Sequence, residues 1–255
     1  MERNDPEPDM NEIGALLGSG KEADVHVYGA LALKLYKSPG VKAPAFREAA
    51  NLAVVERLGL PAPHVYVAGR HDGRWGIVMD RAPGASFGSR IKAEGLQPVL
   101  AEMVQLQLRL HAVPGTGLAS LKDRLTANIR KAPEIGSALR ETLLRQLAAR
   151  SEQDRVCHGD FHPWNIHGAG DEAIILDWLD ACCGDPLADA CRSYLLMLHA
   201  MPEAARIYLE IYAGQSGHPS DEILAWLPLV AAARLTEGVD RERDQLLQLA
   251  GTGSA

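Results

Sequence analysis

The 255-residue sequence has no long apolar run and no excess of basic residues. A membrane-spanning helix needs about 18 or more apolar residues, so the sequence predicts no membrane partner. Nucleic-acid binding needs Lys and Arg to neutralise phosphates. The 26 Lys+Arg are outnumbered by 33 Asp+Glu, which gives a net charge of −7 and argues against nucleic acid as a partner.

Cysteines are also few. Four are present, two of them adjacent at Cys182 and Cys183, and they do not form the framework of a disulfide-rich secreted domain. The acidic, proline-containing start is typical of neither a signal nor a transit peptide. We therefore expect free thiols and a cytoplasmic location. A zinc cluster of cysteines with His158, His162 and His167 is a weaker alternative, because no C-x-x-C pair is present and adjacent cysteines chelate poorly.

The bulk composition is that of an ordinary globular protein. Hydrophobic residues make up 47% of the chain and charged residues 23%, which is typical of one large domain or two small ones. We find no internal repeat and no low-complexity segment. Function must therefore be sought in local motifs.

The most informative stretch lies between residues 156 and 178. Two apolar runs flank a turn-rich cluster at residues 168–172, and this pattern predicts a hairpin of two short strands. If the turn centres near Asp171, Asn165 and Asp177 lie opposite each other, with Cβ atoms about 5 Å apart. Their amide and carboxylate oxygens could hold Mg²⁺. Asp160 precedes the hairpin in a loop that can face the same point; a purely structural hairpin is the alternative.

A glycine loop lies near the start of the chain. Gly18, Ser19 and Gly20 fall between two predicted strands, and glycines let backbone N–H groups approach an anionic phosphate. A plain hairpin turn is the alternative interpretation of the same residues.

The next strand carries a lysine on its less apolar face. Alternation over residues 30–36 places Ala32 and Lys34 on one side of the strand, where Lys34 is either solvated or functional. A helix is predicted over residues 44–58 from its proline start and its glycine and proline end. Glu48 shares a stripe with Leu52 and Val55, and a carboxylate in line with a buried stripe indicates a partner. The alternative is that Glu48 lies at the edge of the stripe as an acid favoured by the helix dipole.

The order of elements predicts an α+β fold in two parts. Five strands with one helix form a small antiparallel sheet, and a turn-forming stretch at residues 80–84 marks a boundary. We predict an N-terminal lobe over residues 1–82, with a flexible tail at 1–12, and a mainly helical C-terminal lobe over residues 83–255.

The motif H-x-D-x-x-x-x-N, followed by a strand that ends in Asp, resembles the catalytic loop and metal-binding Asp of protein kinases. The residues His158-Gly159-Asp160 and Leu176-Asp177-Trp178 are closer to the aminoglycoside phosphotransferase family, which includes choline- and homoserine-kinase relatives. The resemblance extends in the right order over nearly the whole chain. It implies a two-lobed, protein-kinase-like enzyme that uses ATP and Mg²⁺ to phosphorylate a hydroxyl group of a small molecule.

The resemblance also implies residue roles. Asp160 orients the acceptor hydroxyl and accepts its proton. Lys34, held by Glu48, contacts the phosphates of ATP, and Asn165 and Asp177 hold the metal. His158 is expected to be a scaffold residue of the loop.

Three further segments gain roles from the same resemblance. Gly18, Ser19 and Gly20 form the phosphate loop, although the full glycine pattern is only partly met. Backbone groups from Met79 to Arg81 contact the adenine. Asp189 matches a G-D-P-x-x-D pattern that anchors the backbone of the catalytic loop.

The acceptor stays open. An aminoglycoside-type antibiotic, with a role in resistance, and a metabolite such as choline, homoserine or a sugar are both used by relatives, and a cationic acceptor is compatible with the acidic balance. Nothing in the sequence indicates the oligomeric state. Two alternatives are a catalytically silent nucleotide binder and a serine hydrolase, because Gly84–Gly88 matches G-x-S-x-G around Ser86.

Overall fold

The computed structural model of the chain describes residues 12–251. The predicted flexible tail at residues 1–12 therefore lies outside the described residues, apart from Glu12. The chain divides into two compact units. The first contains the described residues up to Gly84 together with His167–Leu179, and the second contains Ala85–Ile166 and the described residues from Asp180 onward. The predicted division after residue 82 did not anticipate that a later segment belongs to the first unit.

Strands are short throughout the described chain. In chain order they are β1 Leu16–Ser19, β2 Ala23–Tyr28, β3 Leu31–Tyr36, β4 Val65–His71, β5 Arg74–Met79, β6 Ala119–Ser120, β7 Arg155–Cys157, β8 Ile166–His167, β9 Ile174–Ile175 and β10 Cys182–Gly184.

Helices make up most of the second unit. In chain order they are α1 Ala43–Arg57, α2 Phe87–Glu94, α3 Leu96–His111, α4 Leu121–Lys131, α5 Ser137–Ala149, α6 Pro186–Leu198, α7 Pro202–Ser216, α8 Ser220–Leu224, α9 Leu227–Arg234 and α10 Arg243–Gly251. None of the helices between residues 12 and 251 has the length and apolar character that a membrane crossing requires.

The first unit is built on the predicted five-stranded sheet. Its order is β1-β2-β3-β5-β4, and every neighbouring pair is antiparallel. On one face of the sheet, Tyr28, Leu33, Leu35 and Val78 form a core cluster, and the opposite face of β3 is buried as well. Helix α1 packs on β4 and β5. The predicted α+β class is confirmed.

Helix α1 shows how the sequence places a charge in the core. Proline stands in its first turn, where the missing N–H costs nothing, and Gly59 follows its end with a φ of +69°. Its inward stripe carries Leu52 and Val55, at 1% and 0% exposure, and also Glu48 at 0%. The predicted stripe is thus correct, and the carboxylate is fully inside.

The second unit packs helices around a small three-stranded sheet. Strand β10 lies between β6, to which it is parallel, and β7, to which it is antiparallel. No sequence pattern predicted this sheet, because its strands are only two or three residues long. Helix α7 packs on both α3 and α6, and helix α9 packs on both α4 and α10.

Two sequence predictions need correction. The predicted hairpin exists as the two-stranded sheet of β8 and β9, but Asn165 ends a short 3-10 helix and Asp177 follows β9, so neither belongs to a strand. The helix predicted over residues 221–233 is two helices, α8 and α9. Pro228 lies in the first turn of α9, where proline is tolerated, whereas it could not continue the preceding helix.

Candidate active site

A buried lysine is the centre of the candidate site in the first unit. The Lys34 side chain is 8% exposed, and its Nζ lies 2.8–2.9 Å from both carboxylate oxygens of Glu48. The same Nζ donates to Oδ1 of Asp177 at 2.9 Å. The contact between Lys34 and Glu48 that the resemblance to kinases implied is therefore present, and Asp177 adds a second carboxylate.

Tyr36 completes this cluster and was missed in the sequence. Its hydroxyl donates to Oε2 of Glu48. Since Tyr36 is two residues after Lys34 on β3, strand alternation places both side chains on one face, and this signal could have identified it. Tyr36 thus helps to compensate the buried charge of Glu48.

The cluster shifts the ionisation of its members. Burial lowers the pKa of Lys34, but the charges of Glu48 and Asp177 outweigh burial and raise the pKa above its usual value. Burial raises the pKa of Glu48, and the nearby charge of Asp177 acts in the same direction against the attraction of Lys34. Lys34 is therefore a fixed cation at neutral pH.

The backbone around Asp177 is held in an unusual conformation. Asp177 has a φ of +61°, in the left-handed region that non-glycine residues seldom adopt. The side-chain amide of Asn51 on α1 donates to the backbone carbonyls of Trp178 and Leu179 at 2.8 and 3.2 Å, and the Trp178 indole N–H donates to the carbonyl of Ile175. These bonds fix the turn that directs the Asp177 carboxylate toward Lys34.

The predicted phosphate loop lies only partly in a turn: Gly18 and Ser19 are the last residues of β1 and pair with β2, and Gly20 follows in the turn between the two strands. Space is open where a Cβ would stand on Gly18 or Gly20. However, the backbone N–H of Gly20 bonds to the carbonyl of Ala23, and the Ser19 hydroxyl bonds to Asp24 at 2.8 Å. The turn is therefore internally bonded, and its role as a phosphate loop stays a prediction.

The predicted adenine segment follows β5. Met79 pairs with Ala32 across the sheet, so the small residue two positions before Lys34 adjoins the start of this segment. The Asp80 carboxylate accepts bonds from the backbone N–H of His64 and the hydroxyl of Tyr66. These bonds fix the segment, whereas the Arg81 side chain is exposed.

The loop that carries Asp160 lies in the second unit. The Asp160 carboxylate is 27% exposed, and it accepts a bond from the Asn165 amide at 3.0 Å. His162 Nε2 is 3.4 Å away and Arg192 is 3.8 Å away. Burial raises the pKa of Asp160, but the hydrogen bond from His162 and the charges of His162 and Arg192 outweigh it and hold the pKa below its usual value.

Asn165 is oriented as the predicted metal ligand requires. Its Nδ2 donates both to the backbone carbonyl and to the carboxylate of Asp160, at 2.9 and 3.0 Å. Because the amide nitrogen is held there, its Oδ1 is presented as an oxygen ligand. On Asp177, Lys34 engages Oδ1 and leaves Oδ2 as a carboxylate oxygen. Oxygen ligands of these two kinds fit Mg²⁺, and their joint use stays a prediction.

Asp189 holds the loop from behind, as the sequence predicted. Its carboxylate accepts bonds from the backbone N–H groups of Gly159 and His158, at 2.7 and 3.2 Å. Gln107 and His111 donate to it from α3. Burial raises the pKa of Asp189, but the bonds and charge of His111 and the bond from Gly159 lower it to about 2.

The His158 ring is fully buried in the loop. Its Nδ1 accepts a bond from the backbone N–H of Asp160 at 3.1 Å, and its ring meets Phe161 edge-on. These contacts agree with the scaffold role predicted for His158.

The two competing site interpretations find no support. Ser86 is the N-cap of α2, where its Oγ accepts a bond from the N–H of Ser89 at 3.2 Å, and it does not follow a parallel strand as a nucleophile elbow requires. Over residues 12–251, no three His, Cys, Asp or Glu side chains are grouped so that they could hold a metal ion.

Comparison with known proteins gives the class and the family of this chain. The profile of the phosphotransferase enzyme family that is abbreviated APH matches residues 16–227. The chain therefore belongs to this family. A comparison with curated protein sequences finds no significant match.

Solved structures show the same fold. A thermostable mutant of aminoglycoside phosphotransferase APH(4)-Ia, in ternary complex with AMP-PNP and hygromycin B, matches with a TM-score of 0.71 and 14% identity over 94% of each chain. An aminoglycoside-3'-phosphotransferase of type VIII matches with a TM-score of 0.65 and 22% identity, over 89% of this chain and 93% of that one. Choline kinase LicA from Streptococcus pneumoniae matches with a TM-score of 0.64 and 16% identity over 94% of each chain. The protein-kinase-like fold is thereby confirmed.

The buried lysine cluster predicts a double-mutant effect on stability. Lys34→Met leaves the fully buried Glu48 carboxylate without its cation, and we expect a loss of about 3–5 kcal/mol in the free energy of unfolding. Adding Glu48→Gln removes the unpaired charge and should recover part of this loss. Denaturant unfolding measures both effects. The control is Lys37→Met, because Lys37 is an exposed lysine directly after β3. This substitution should lower the free energy of unfolding by less than about 1 kcal/mol.

Equal losses for Lys34→Met and Lys37→Met would contradict the view that Lys34 compensates a buried carboxylate.

The Asp189 anchor predicts a pH-dependent effect. Asp189→Asn weakens the bonds to the loop N–H groups, with an expected loss of about 1–3 kcal/mol. Because the folded-state pKa of about 2 lies below the usual aspartate value of 3.8, the stability from this carboxylate is present above pH 3.8 and is lost as pH falls toward 2. The difference between wild type and variant should shrink over that range in urea unfolding. A difference that stays constant down to acid pH would argue against the anchor.

Proposed function

We propose that this chain transfers the γ-phosphoryl group of ATP to a hydroxyl group of a small molecule. The observation that carries the proposal is the Lys34 ammonium, which is buried and fixed between Glu48 and Asp177. A buried cation with two carboxylates is costly to maintain for stability alone, and phosphoryl transfer is catalysed mainly by positioned charges. AMP-PNP and ADP are named in the complexes of solved relatives, which supports ATP as the donor.

Each proposed site residue has one task. Lys34 neutralises the phosphates of the donor and is oriented by Glu48. Asp160 orients the acceptor hydroxyl; as the hydroxyl oxygen bonds to the γ-phosphorus and the bond to ADP breaks, the hydroxyl proton passes to the Asp160 carboxylate. Asn165 and Asp177 would supply oxygen ligands to Mg²⁺, which when bound neutralises phosphate charge. The low pKa of Asp160 keeps the carboxylate ionised and able to accept hydrogen bonds at neutral pH.

Other segments are proposed to bind the nucleotide. The backbone from Met79 to Arg81 would contact the adenine, beside Ala32 on the neighbouring strand. The turn at Gly18, Ser19 and Gly20 would cover the phosphates, and its internal bonds would have to exchange for bonds to the ligand.

Two classes of acceptor follow from the relatives. Hygromycin B, streptomycin and gentamicin are named in the complexes of solved aminoglycoside phosphotransferases, and choline kinase is another neighbour. The two candidate acceptors are thus an antibiotic, in which case the enzyme would act in resistance, and a small metabolite. We propose that the reaction takes place in the cytoplasm.

The proposed base predicts a selective loss of activity. Asp160→Asn cannot accept the hydroxyl proton, so acceptor-dependent ADP formation should fall by about 10²–10⁴-fold, while AMP-PNP still raises the thermal midpoint. The matched control is Asp154→Asn, because Asp154 is a 74% exposed carboxylate of the same unit, and it should keep wild-type turnover. Undiminished ADP formation by Asp160→Asn would refute the role of this residue.

A further inference from the structure

A small cavity in the second unit adjoins the loop that carries Asp160. Its volume is about 110 Å³, and it is lined by α4, α6 and α9 with Gly159 and Asp180. Drug-sized ligands occupy pockets of about 300–1,000 Å³, so this cavity has room for one functional group of a ligand and not for a whole antibiotic. Arg192 connects the cavity to Asp160, since its Nε donates to the carbonyl of Gly159 at 3.2 Å and its terminal nitrogen is 3.8 Å from the Asp160 carboxylate.

Three arginines from three different helices line this cavity. They are Arg124 of α4, Arg192 of α6 and Arg234 of α9, and Asn128 of α4 adds an amide. The side chains of Arg192 and Arg234 are only 12% and 8% exposed. Like charges repel more strongly where water is scarce, so their convergence is unfavourable unless anions compensate them.

The carboxylates of the chain compensate two of the three arginines closely. Glu237 bonds to both Arg192 and Arg234 at 2.7 Å, and Glu242 bonds to Arg234 at 2.6 Å. The carboxylate of Asp189 also lines the cavity, but it is engaged by His158, Gly159, Gln107 and His111.

Arg124 has a weaker partner. Its guanidinium donates to the backbone carbonyl of Asp180, whereas the nearest carboxylate oxygen of Asp180 is 3.6 Å away, beyond normal hydrogen-bond distance. The guanidinium also lies against the catalytic loop, because a Cβ on Gly159 would stand 2.8 Å from its nitrogens. With its side chain 27% exposed, Arg124 is a cation that can receive an anionic group one residue from Asp160.

We propose that this cavity is an acceptor subsite for an anionic group, so that the acceptor is a small hydroxyl compound bearing a carboxylate or a phosphate ester. A guanidinium binds either anion through two parallel N–H groups, and Asn128 supplies a further donor. A polycationic aminoglycoside would instead bring an ammonium group beside the guanidinium of Arg124, which repels it. The inference rests on the proposed function, and it narrows the acceptor toward a hydroxy acid or a sugar acid.

The test compares acceptors that differ in one anionic group. ADP formation is measured with glycerate and glycerol phosphate against glycerol, with gluconate against glucose, and with choline and kanamycin as cations. We expect at least one anionic compound to be preferred over its neutral partner by about 10- to 100-fold in kcat/KM, as a charged hydrogen bond would give. Arg124→Met should remove this preference and Arg124→Lys should keep part of it. The control is Arg145→Met, because Arg145 is an exposed arginine of α5. This substitution should leave the preference for the anionic acceptor unchanged.

A second readout does not depend on turnover. With saturating AMP-PNP and Mg²⁺, the same anions should raise the thermal midpoint of wild type and Arg145→Met but not that of Arg124→Met. Three results would refute the subsite. The first is that no anionic compound is phosphorylated and none raises the midpoint. The others are that Arg124→Met keeps the preference for anions, or that choline or kanamycin is turned over in place of the anions. That last result would leave the phosphotransferase proposal intact, whereas the absence of any midpoint shift by AMP-PNP would contradict the proposed function itself.

Discussion

The first unit depends on one buried ammonium group. Lys34 is held by Glu48 and Asp177 at 2.8–2.9 Å, and each of these residues comes from a different element: the central strand β3, helix α1 and the turn after β9. A buried carboxylate is unfavourable without its cation, so the lysine links the helix and the turn to the sheet. The same interaction fixes the rotamer of Lys34 and makes it available as a preorganised charge for phosphates.

A comparable constraint orders the loop of the second unit. The Asp189 carboxylate accepts hydrogen bonds from the backbone N–H groups of His158 and Gly159, and Arg192 donates to the carbonyl of Gly159. Both the N–H and the C=O groups of the backbone beside Asp160 are therefore hydrogen-bonded. Preorganised groups lose little free energy in reorganisation when charge develops during a reaction. The proposed transfer requires such order in both units, because it relies on position and charge.

Residues that follow a regular period were predictable, and residues whose contacts depend on distant packing were not. The helical period of α1 predicted that Glu48 lies on the buried stripe. The resemblance to kinases then implied that Lys34 is its partner, and the family's G-D-P-x-x-D pattern implied the Asp189 anchor. The strand placement of Asn165 and Asp177 was wrong because β8 and β9 have only two residues each, too few for alternation to register. The cavity lined by Arg124, Arg192 and Arg234 arises from three helices far apart in the sequence, so no local pattern could reveal it.

The most direct test of the account is the identification of both products of the reaction by mass spectrometry. The full-length chain would be incubated with ATP and Mg²⁺ and with panels of hydroxy acids, amino alcohols, sugars and aminoglycosides. We expect ADP and an acceptor carrying one added phosphoryl group to form in equal amounts. ADP that appears only with inorganic phosphate, or no consumption of ATP with any acceptor class, would contradict the proposed transfer.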